Sequence, residues 1–228
     1  MTLAADPTGF RITVFEADAL STRDLERVKA VFAENYRDAN LAYLEKSLGR
    51  LRYVSLAEDA GGNLAGFALG ESRVMDLLRL PRQNVRLAGL CCVGMAYRRR
   101  GLFGRLETAA LSEGHAQVSE RTLSSGRMAH PASFRGMSRS PSVVPRRGKR
   151  PTAWQQEVGM AIAEAYGTPG FDPETFVCKG TGVPIGYPVI EIEATPEEWE
   201  LFAPVDRSHG DSLLGLAWAP DPPPGWDD

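Results

Sequence analysis

The sequence predicts an α/β (α+β) fold, in which strands and amphipathic helices follow one another along the chain. Three observations support this prediction. Residues 10–17, FRITVFEA, alternate apolar and polar side chains as a half-buried strand does, and residues 21–36 repeat apolar side chains at helical spacing. Residues 84–95, NVRLAGLCCVGM, form a long apolar strand pattern. The resulting order of elements over the first half is β-α-α-β-β-β-α.

The two predicted helices after the first strand have recognisable features. The first begins at Ser21, because serine is a favoured N-cap residue, and it places Leu25, Val28 and Phe32 on one face. A second helical segment, LAYLEKSLGRL, follows at 41–51. Both helices therefore precede the strands at the centre of the sequence.

Two strand patterns then flank a glycine-rich turn. Residues 52–59 (RYVSLAED) and 64–74 (LAGFALGESRV) are separated by Gly61-Gly62-Asn63, and this arrangement predicts a β-hairpin. After the long apolar strand, residues 102–118 (LFGRLETAALSEGHAQV) predict a helix whose first two leucines share one face.

The composition restricts the class of protein. Of 228 residues, 43% are hydrophobic and 24% are charged, which is ordinary for a water-soluble globular protein, and the net charge of -3 argues against a protein that coats nucleic acid. Residues 1–20 lack the pattern of a signal peptide, and no stretch approaches the roughly 18 apolar residues of a membrane helix. Three cysteines, two of them adjacent, do not form a disulfide framework. We expect a cytoplasmic protein with reduced thiols and with neither a membrane nor a nucleic acid as partner.

Three consecutive arginines, Arg98, Arg99 and Arg100, lie between the long apolar strand and the helix that begins near residue 102. The first amides of a helix have no intrahelical acceptor, and the helix dipole adds partial positive charge there. Gly101 allows a close approach of the backbone to an anion, and Gly104 lies one turn further on. The pattern indicates a phosphate or pyrophosphate site, whereas a solvated charge run is the alternative for an isolated RRRG motif.

In this setting the sequence resembles the GNAT superfamily of acyltransferases, whose pyrophosphate loop reads Arg/Gln-x-x-Gly-x-Gly/Ala between a strand and a helix. Residues 98–103 occupy that pattern, and Val93 matches the usual end of the strand. Phe103 departs from the pattern, because it replaces the second small residue and Gly104 follows one position late. The resemblance is carried by residues 87–118 and, through the order of elements, extends back to Phe10.

The resemblance implies a mixed central β-sheet flanked by helices, with acetyl-CoA as co-substrate. The backbone of Cys91, Cys92 and Val93 would bind the pantetheine arm, and the amides from Arg99 through Leu102 and Phe103 to Gly104 would bind the pyrophosphate. A thiol beside a thioester also suggests the hypothesis that the acyl group is transferred to cysteine to form an acyl-cysteine. Packing is the favoured role for these cysteines, because no neighbouring His or Lys in the sequence indicates an activated thiolate.

Transfer to an amine requires a base, because an ammonium group must lose a proton before it attacks the thioester. Glu71, on the strand expected beside the CoA-binding strand, is the first candidate, and an exposed carboxylate is the alternative. The segment AHPASF resembles an Asn-Pro-x-x-Tyr-like segment of larger family members, with His130 in the place of Asn and Phe134 in the place of Tyr. Phe134 cannot donate a proton, so Ser133, His130 or water would protonate the leaving thiolate. A turn histidine without chemistry is the alternative for His130.

The second half of the sequence is predicted to contain a strand and short helix in 121–137, an exposed Pro/Ser/Arg/Lys loop at 138–151 and a helix from Thr152 to Gly167. Further predictions are strands at 175–182 and 187–194, and a helix from Thr195 to Phe202. Solvation is the favoured role of the basic loop, and binding of the CoA 3′-phosphate or of an acidic substrate is the alternative. By comparison with the family, residues 1–228 form a single domain with a core at about 10–140, a C-terminal elaboration at about 141–218 and a tail at 219–228.

Other chemistries lack their motifs. There is no phosphate-binding Gly-x-x-x-x-Gly-Lys-Ser/Thr loop, no dinucleotide fingerprint and no Gly-x-Ser-x-Gly elbow. His115, His130 and His209 lack metal-ligand spacing, so we expect no metal. Two functions follow from the resemblance: an acetyl-CoA-dependent N-acetyltransferase that acts on a primary amine of a small molecule or protein, or a catalytically weak acyl-CoA-binding sensor. Members of the family are often dimers, so the resemblance also suggests that this protein forms a homodimer.

Overall fold

The computed structural model describes residues 9–114 and 117–228. These residues form two compact units, each assembled from separate stretches of chain. Among the described residues, the first unit contains 9–72, 88–114 and 185–191, and the second contains 73–87, 117–184 and 192–228. The alternation of helices and strands confirms the predicted α/β class.

The helices and strands have the following bounds. The helices are α1 (Thr22–Asn35), α2 (Leu41–Leu48), α3 (Leu102–Ser112), α4 (Pro131–Phe134), α5 (Ala153–Ala165) and α6 (Pro196–Phe202). The strands are β1 (Arg11–Glu16), β2 (Tyr36–Arg37), β3 (Tyr53–Glu58), β4 (Leu64–Leu77), β5 (Leu80–Val93), β6 (Thr122–Met128), β7 (Phe171–Asp172), β8 (Val177–Cys178), β9 (Tyr187–Pro188) and β10 (Ser212–Ala219).

Hydrogen bonds join eight strands in the order β1-β3-β4-β5-β6-β10-β8-β7, and β2 pairs separately with β9. The predicted hairpin is confirmed, because β3 and β4 are antiparallel neighbours around the turn at residues 59–63. The chain leaves β5 through α3 before it enters β6, the next strand of the sheet. The predicted order β-α-α-β-β-β-α is confirmed, with the two-residue β2 as an addition.

In the first unit, α1 and α3 lie on opposite faces of the strands. Successive side chains of a strand point to opposite faces, and the two adjacent cysteines of β5 show which helix covers each face. Cys91 Sγ lies 3.9 Å from the carbonyl oxygen of Phe103 in α3, whereas Cys92 Sγ lies 3.7 Å from that of Val31 in α1. On the α3 side, the apolar cluster includes the following buried side chains: Phe10, Ile12, Ala57, Ala65, Ala68, Leu102 and Leu106.

Local sequence signals explain the bounds of several helices. Ser21 caps α1 and Thr152 caps α5, both as predicted, and each side chain accepts a backbone N–H of the first turn. Helix α3 begins at Leu102 as predicted but ends at Ser112, before a left-handed Gly114. The remainder of the predicted helix includes residues 115 and 116, which lie outside the described residues.

Three predictions for the second half differ from the structure. The loop at 138–151 is not solvated throughout, because Ser142, Val143 and Val144 are buried and Val144 bridges to Leu216 in β10. Residues 219–228, predicted as a tail, contain Trp226, which is only 1% exposed. The predicted strands at 175–182 and 187–194 are reduced to the two-residue β8 and β9.

Trp226 explains why the end of the chain packs in the second unit. Its ring makes edge-to-face contacts with Trp154 at 5.5 Å and Trp218 at 5.8 Å between ring centroids. Its indole N–H donates to the carbonyl oxygen of Ser142 at 3.1 Å, so the polar atom of the buried ring is satisfied. The last ten residues therefore belong to the packed structure of this unit.

Candidate functional site

The segment between β5 and α3 is a compact loop held at its beginning by Tyr97. A single turn of 3₁₀-helix spans Met95–Tyr97, and the Tyr97 hydroxyl donates to the Asp59 carboxylate at 2.7 Å. Asp59 also accepts the backbone N–H groups of Gly61 and Asn63 in the β3–β4 turn. The hydrogen bond from Tyr97, with those from the turn, lowers the pKa of Asp59 to about 2. One carboxylate thus fixes both the hairpin turn and the residue before the arginines.

Residues 98–101, which we call the arginine loop, include two residues in the left-handed conformation. Arg99 has a φ of 63° and Gly101 a φ of 69°. A non-glycine residue with positive φ is uncommon, and the left-handed conformation in a turn helps to direct successive backbone N–H groups into an anion-binding concavity. A Cβ added to Gly101 would meet no protein atom within 4 Å, so lack of space does not explain the glycine. The left-handed backbone conformation explains it, because residues with a Cβ adopt that conformation only at an energetic cost. The constraint at this position is therefore the φ angle.

Helix α3 starts without a side-chain cap. Its N-cap is Gly101, which offers no side-chain acceptor. The other α-helices of the described chain receive such a cap, from Ser21, Asn40, His130, Thr152 and Thr195 in order. Since the first amides of a helix lack intrahelical acceptors, the start of α3 presents donors that this sequence leaves for another acceptor.

The three arginines have different roles in the structure. The Arg98 guanidinium donates to the carbonyl oxygen of Val93 at 3.3 Å and to Asn35 Oδ1 at 3.4 Å, so it ties the end of β5 to the end of α1. Arg99 and Arg100 are exposed and form no ion pair with any residue in the two described ranges. The charge that faces solvent at this loop therefore comes from the second and third arginines.

Three helix residues that the sequence predicted for the site differ in their environments. Leu102 is buried and packs in the apolar cluster, so only its backbone is available to a ligand. Phe103 is 48% exposed beside the loop. Gly104 lies 200° around the helix from Leu102, and an added Cβ there would also meet no protein atom within 4 Å. The space at Gly104 is thus on the outer face of α3.

Strand β5 has an irregularity beside the cysteines. A Cβ added to Gly89 would contact Leu69 of β4, on the sheet face opposite α3, and Cys92 also faces away from α3. Residues three positions apart share a face only if the alternation is interrupted between them, as at a β-bulge. The interruption therefore lies between Gly89 and Cys92, at the segment predicted to bind pantetheine.

The thiols of the protein are poor nucleophiles. Burial raises the pKa of Cys91 well above its usual value and that of Cys92 to about 12. Burial also raises the pKa of Cys178 to about 11, and all three cysteines are free. Because the thiolate is the reactive form, these environments support packing roles and not an acyl-cysteine.

Glu71 lies in β4 on the face opposite α3. A Cβ added to its neighbour Gly70 would meet Leu111 of α3, and the Ser72 hydroxyl donates to the carbonyl oxygen of Leu111, so the alternation of the strand turns Glu71 to the other side. Its carboxylate accepts the backbone N–H of Arg52 at 3.3 Å. The structure thus places Glu71 and the arginine loop in the same unit, and its role as a base stays a prediction.

His130, Ser133 and Phe134 belong to the second unit. His130 caps α4 by accepting the N–H of Ala132 at 3.2 Å, and its ring lies 5.0 Å from that of Trp199. Ser133 is exposed, and Phe134 is buried against Phe202. The capping role matches the turn alternative for His130, while the catalytic roles of His130 and Ser133 stay predictions.

Residues 146–149 of the basic loop form a tight turn in the second unit. Arg146 and Lys149 bridge across it, and Arg147 lies 3.5 Å from Glu200. The turn borders an open cleft of about 340 Å³ that also contains Glu174. Whether this turn binds the CoA 3′-phosphate or an acidic substrate stays a prediction.

One residue near the loop was missed by the sequence analysis. Glu107 follows the buried Leu106 in α3 and is itself half-buried, and this burial raises the pKa of its carboxyl group to about 7. The available signal was an acidic residue directly beside a leucine predicted to face the core.

No cluster of three or more His, Cys, Asp or Glu side chains within the described chain is placed to hold a metal ion, and His115 lies outside those residues. No helix in the same part of the chain is long and apolar enough to cross a membrane.

Comparisons with known proteins give only distant similarity. No family model and no curated protein matches the sequence. Among solved structures, the chain is similar to a fungal multi-domain GH3 β-N-acetylglucosaminidase with a GCN5-related glucosamine N-acetyltransferase region (19% identity, TM-score 0.40, 71% of this chain and 17% of that chain). It is also similar to the Escherichia coli GNAT family N-acetyltransferase YhbS in complex with CoA (18% identity, TM-score 0.38, 57% of this chain and 69% of that one). The match thus spans about a sixth of the length of the fungal protein.

Proposed function

We propose that the protein is an acetyl-CoA-dependent N-acetyltransferase that transfers an acetyl group to a primary amine of a small molecule or protein. The observation that supports this proposal is the uncapped start of α3, preceded by left-handed Arg99 and Gly101. Such a helix start binds phosphate groups through backbone N–H donors and the helix dipole. The resemblance of residues 98–103 to the GNAT loop supports the pyrophosphate of CoA as the anion.

The residues at the start of α3 have the exposed donors and charges that support binding of this co-substrate. The amides from Arg99 to Gly104 would bind the pyrophosphate, and the exposed guanidinium groups of Arg99 and Arg100 would add charge. The pantetheine arm would follow the backbone of Cys91, Cys92 and Val93, where β5 is irregular. Arg98 would act by holding the loop, since its guanidinium is engaged by Val93 and Asn35.

The chemistry requires a neutral amine and a polarised thioester carbonyl. The Glu71 carboxylate would take the proton of the acceptor, directly or through water. Positioning of the amine beside the thioester and backbone donors at the carbonyl oxygen supply much of the rate acceleration in such transfers. The cytoplasmic location and the homodimer stay predictions from the sequence.

A catalytically weak acyl-CoA sensor is the second candidate function. The observation that favours it is the buried Phe134, whose ring packs against Phe202 and has no proton to donate. This candidate and the transferase share the CoA site, and they differ in turnover alone.

Isothermal titration with CoA and acetyl-CoA, followed by assay of thiol release across a panel of amines, tests both candidates. We expect binding of both nucleotides and thiol release with at least one amine. Binding without thiol release on any amine would support the sensor. The absence of binding would reject both.

A further inference from the structure

The cleft of about 340 Å³ beside the basic turn (residues 146–149) has no role in the proposed function. It is lined by this turn with its adjacent prolines, by the turn between β7 and β8, and by the end of α6. All of these elements belong to the second unit, whereas the arginine loop and residues 91–93 belong to the first. Pockets that hold small molecules begin at about 300 Å³. The cleft is therefore a separate candidate site, of a size suited to a small ligand.

Contacts with the rest of the second unit fix the elements around the cleft. Val144, two residues before the basic turn, bridges to β10. The Asp172 carboxylate accepts the backbone N–H of Glu174 at 3.0 Å and the hydroxyl of Thr175 at 2.7 Å, so it holds the β7–β8 turn. Helix α6 ends at Phe202, whose side chain is buried. Because these borders are already ordered, a ligand that binds here pays little to immobilise them.

The charged side chains of the cleft comprise one ion pair and three charges without an ionic partner. Arg147 lies 3.5 Å from Glu200, so these two charges offset each other. Within the described part of the chain, the Lys149 ammonium group and the Glu174 carboxylate form no ion pair. The Arg146 guanidinium donates to a backbone carbonyl oxygen, which leaves its charge uncompensated. The cleft thus presents two positive charges and one negative charge to a ligand.

A ligand with two carboxylates and one ammonium group complements these charges. Carboxylates form charge-assisted hydrogen bonds with Arg and Lys, and an ammonium group forms them with Glu. A dicarboxylate without an amine would place like charge beside Glu174, and such a juxtaposition is unfavourable. The lining also includes apolar side chains that would contact the carbon chain of the ligand: Pro145, Pro151, Leu201 and Pro204.

We propose that this cleft binds a small α-amino dicarboxylate, the chemistry of an acidic amino acid. The two carboxylates bind Arg146 and Lys149, and the ammonium group binds Glu174. The site does not rest on the proposed function, because none of its residues belongs to the first unit.

Three probes with related carbon chains test each charge of the ligand. L-Glutamate carries all three groups, glutarate lacks the ammonium group, and 4-aminobutanoate lacks one carboxylate. Titration of the full chain, followed by amide NMR, gives the dissociation constants and locates the site. We expect L-glutamate to bind most tightly, and each missing group to raise the dissociation constant by about two- to fivefold, as for other exposed ion pairs. The shifted amides should lie at residues 146–149 and 174–175.

Lys149→Met and Glu174→Gln test the two ends of the cleft separately. Arg150→Met is the matched control, because Arg150 is exposed next to the basic turn but does not line the cleft. We expect Lys149→Met to weaken L-glutamate and glutarate alike by about two- to fivefold. Glu174→Gln should weaken L-glutamate without weakening glutarate, and Arg150→Met should change neither. All three side chains are exposed, so amide spectra should show that the variants are folded.

Two outcomes with the wild type would overturn the proposal: no shift by L-glutamate at residues 146–149 and 174–175, or equal affinity for L-glutamate and glutarate. CoA titration provides a third test. If Lys149→Met weakens CoA as much as it weakens L-glutamate, the basic turn belongs to the CoA site and the proposal is wrong. A wild type that binds L-glutamate as expected but not CoA would reject the proposed function and support this site.

Discussion

Gly101→Val is the substitution that most directly tests the anion site. At a φ of 69°, the left-handed conformation costs a residue with a Cβ roughly 1–2 kcal/mol, and valine is worse suited to it than most residues. No protein atom lies within 4 Å of an added Cβ, so the surroundings do not hold the backbone in place. The loop can therefore relieve the strain by changing the φ angle of residue 101. This change turns the first amides of α3 away from their common direction.

The expected loss of affinity follows from those amides. A hydrogen bond to a charged group contributes about 1.5–3 kcal/mol, so misdirecting two of them removes about 3–6 kcal/mol. Each 1.4 kcal/mol is a factor of ten, and the CoA dissociation constant should therefore rise by roughly 10²- to 10⁴-fold. Arg99→Ala removes an exposed charge worth about 0.2–1 kcal/mol, so it should weaken binding by at most about fivefold.

Gly9→Val is the matched control for this substitution. Gly9 is also left-handed, with a φ of 79°, and an added Cβ there likewise meets no protein atom within 4 Å. We expect a similar backbone cost of at most about 1–2 kcal/mol in the free energy of unfolding, with CoA affinity unchanged. Titration calorimetry measures the affinities, and urea denaturation shows that each variant is folded. Equal CoA affinity for wild type and Gly101→Val would remove the basis of the proposed function.

Three further predictions concern single residues. Glu71→Gln should lower kcat by roughly 10²- to 10⁴-fold with CoA affinity nearly unchanged, and a pH–rate profile that overlays that of the wild type would exclude Glu71 as the base. Asp59 has a folded-state pKa of about 2, below its unfolded value, so its stabilisation is present above about pH 4 and is lost as the pH falls towards 2. Asp59→Asn should therefore lower Tm at pH 6 and lose that difference near pH 2; equal Tm values at pH 6 would contradict the anchoring role. Trp226→Ala should lower the free energy of unfolding by about 3–5 kcal/mol in urea denaturation, whereas a loss below about 1 kcal/mol would mean that the end of the chain does not support the core.

The first half of the fold could be predicted because its signals are local. Caps, helical spacing and a glycine-rich turn each act within a few residues, and they located α1, α2, the β3–β4 hairpin and the start of α3. The arginine loop was found in the same way. What the sequence could not show is that Arg98 turns back to Val93 and Asn35, because that contact depends on where the end of α1 lies.

The second half was harder to predict because tertiary contacts decide it. Strand β10 was missed, since seven of its eight residues are buried and its sequence, SLLGLAWA, lacks alternation between polar and apolar side chains. The segment YPVIEIEA has that alternation, yet Ile190 and Ile192 are 55% and 61% exposed and only its first two residues pair as a strand. Glu107 was missed because its burial depends on the strands that α3 covers.

The pairing of β2 with β9 has a consequence for the order in which the protein is made. Residues 185–191 belong to the first unit, where Asn40 donates its backbone N–H to Ile185 and Val189 donates to Asn35. A ribosome that has released only the first 140 residues has therefore exposed the arginine loop and both of its flanking elements, but not the segment that pairs with Tyr36 and Arg37. The first unit can complete its own hydrogen bonds only after residue 191 has left the exit tunnel, so its assembly is not finished when α3 emerges.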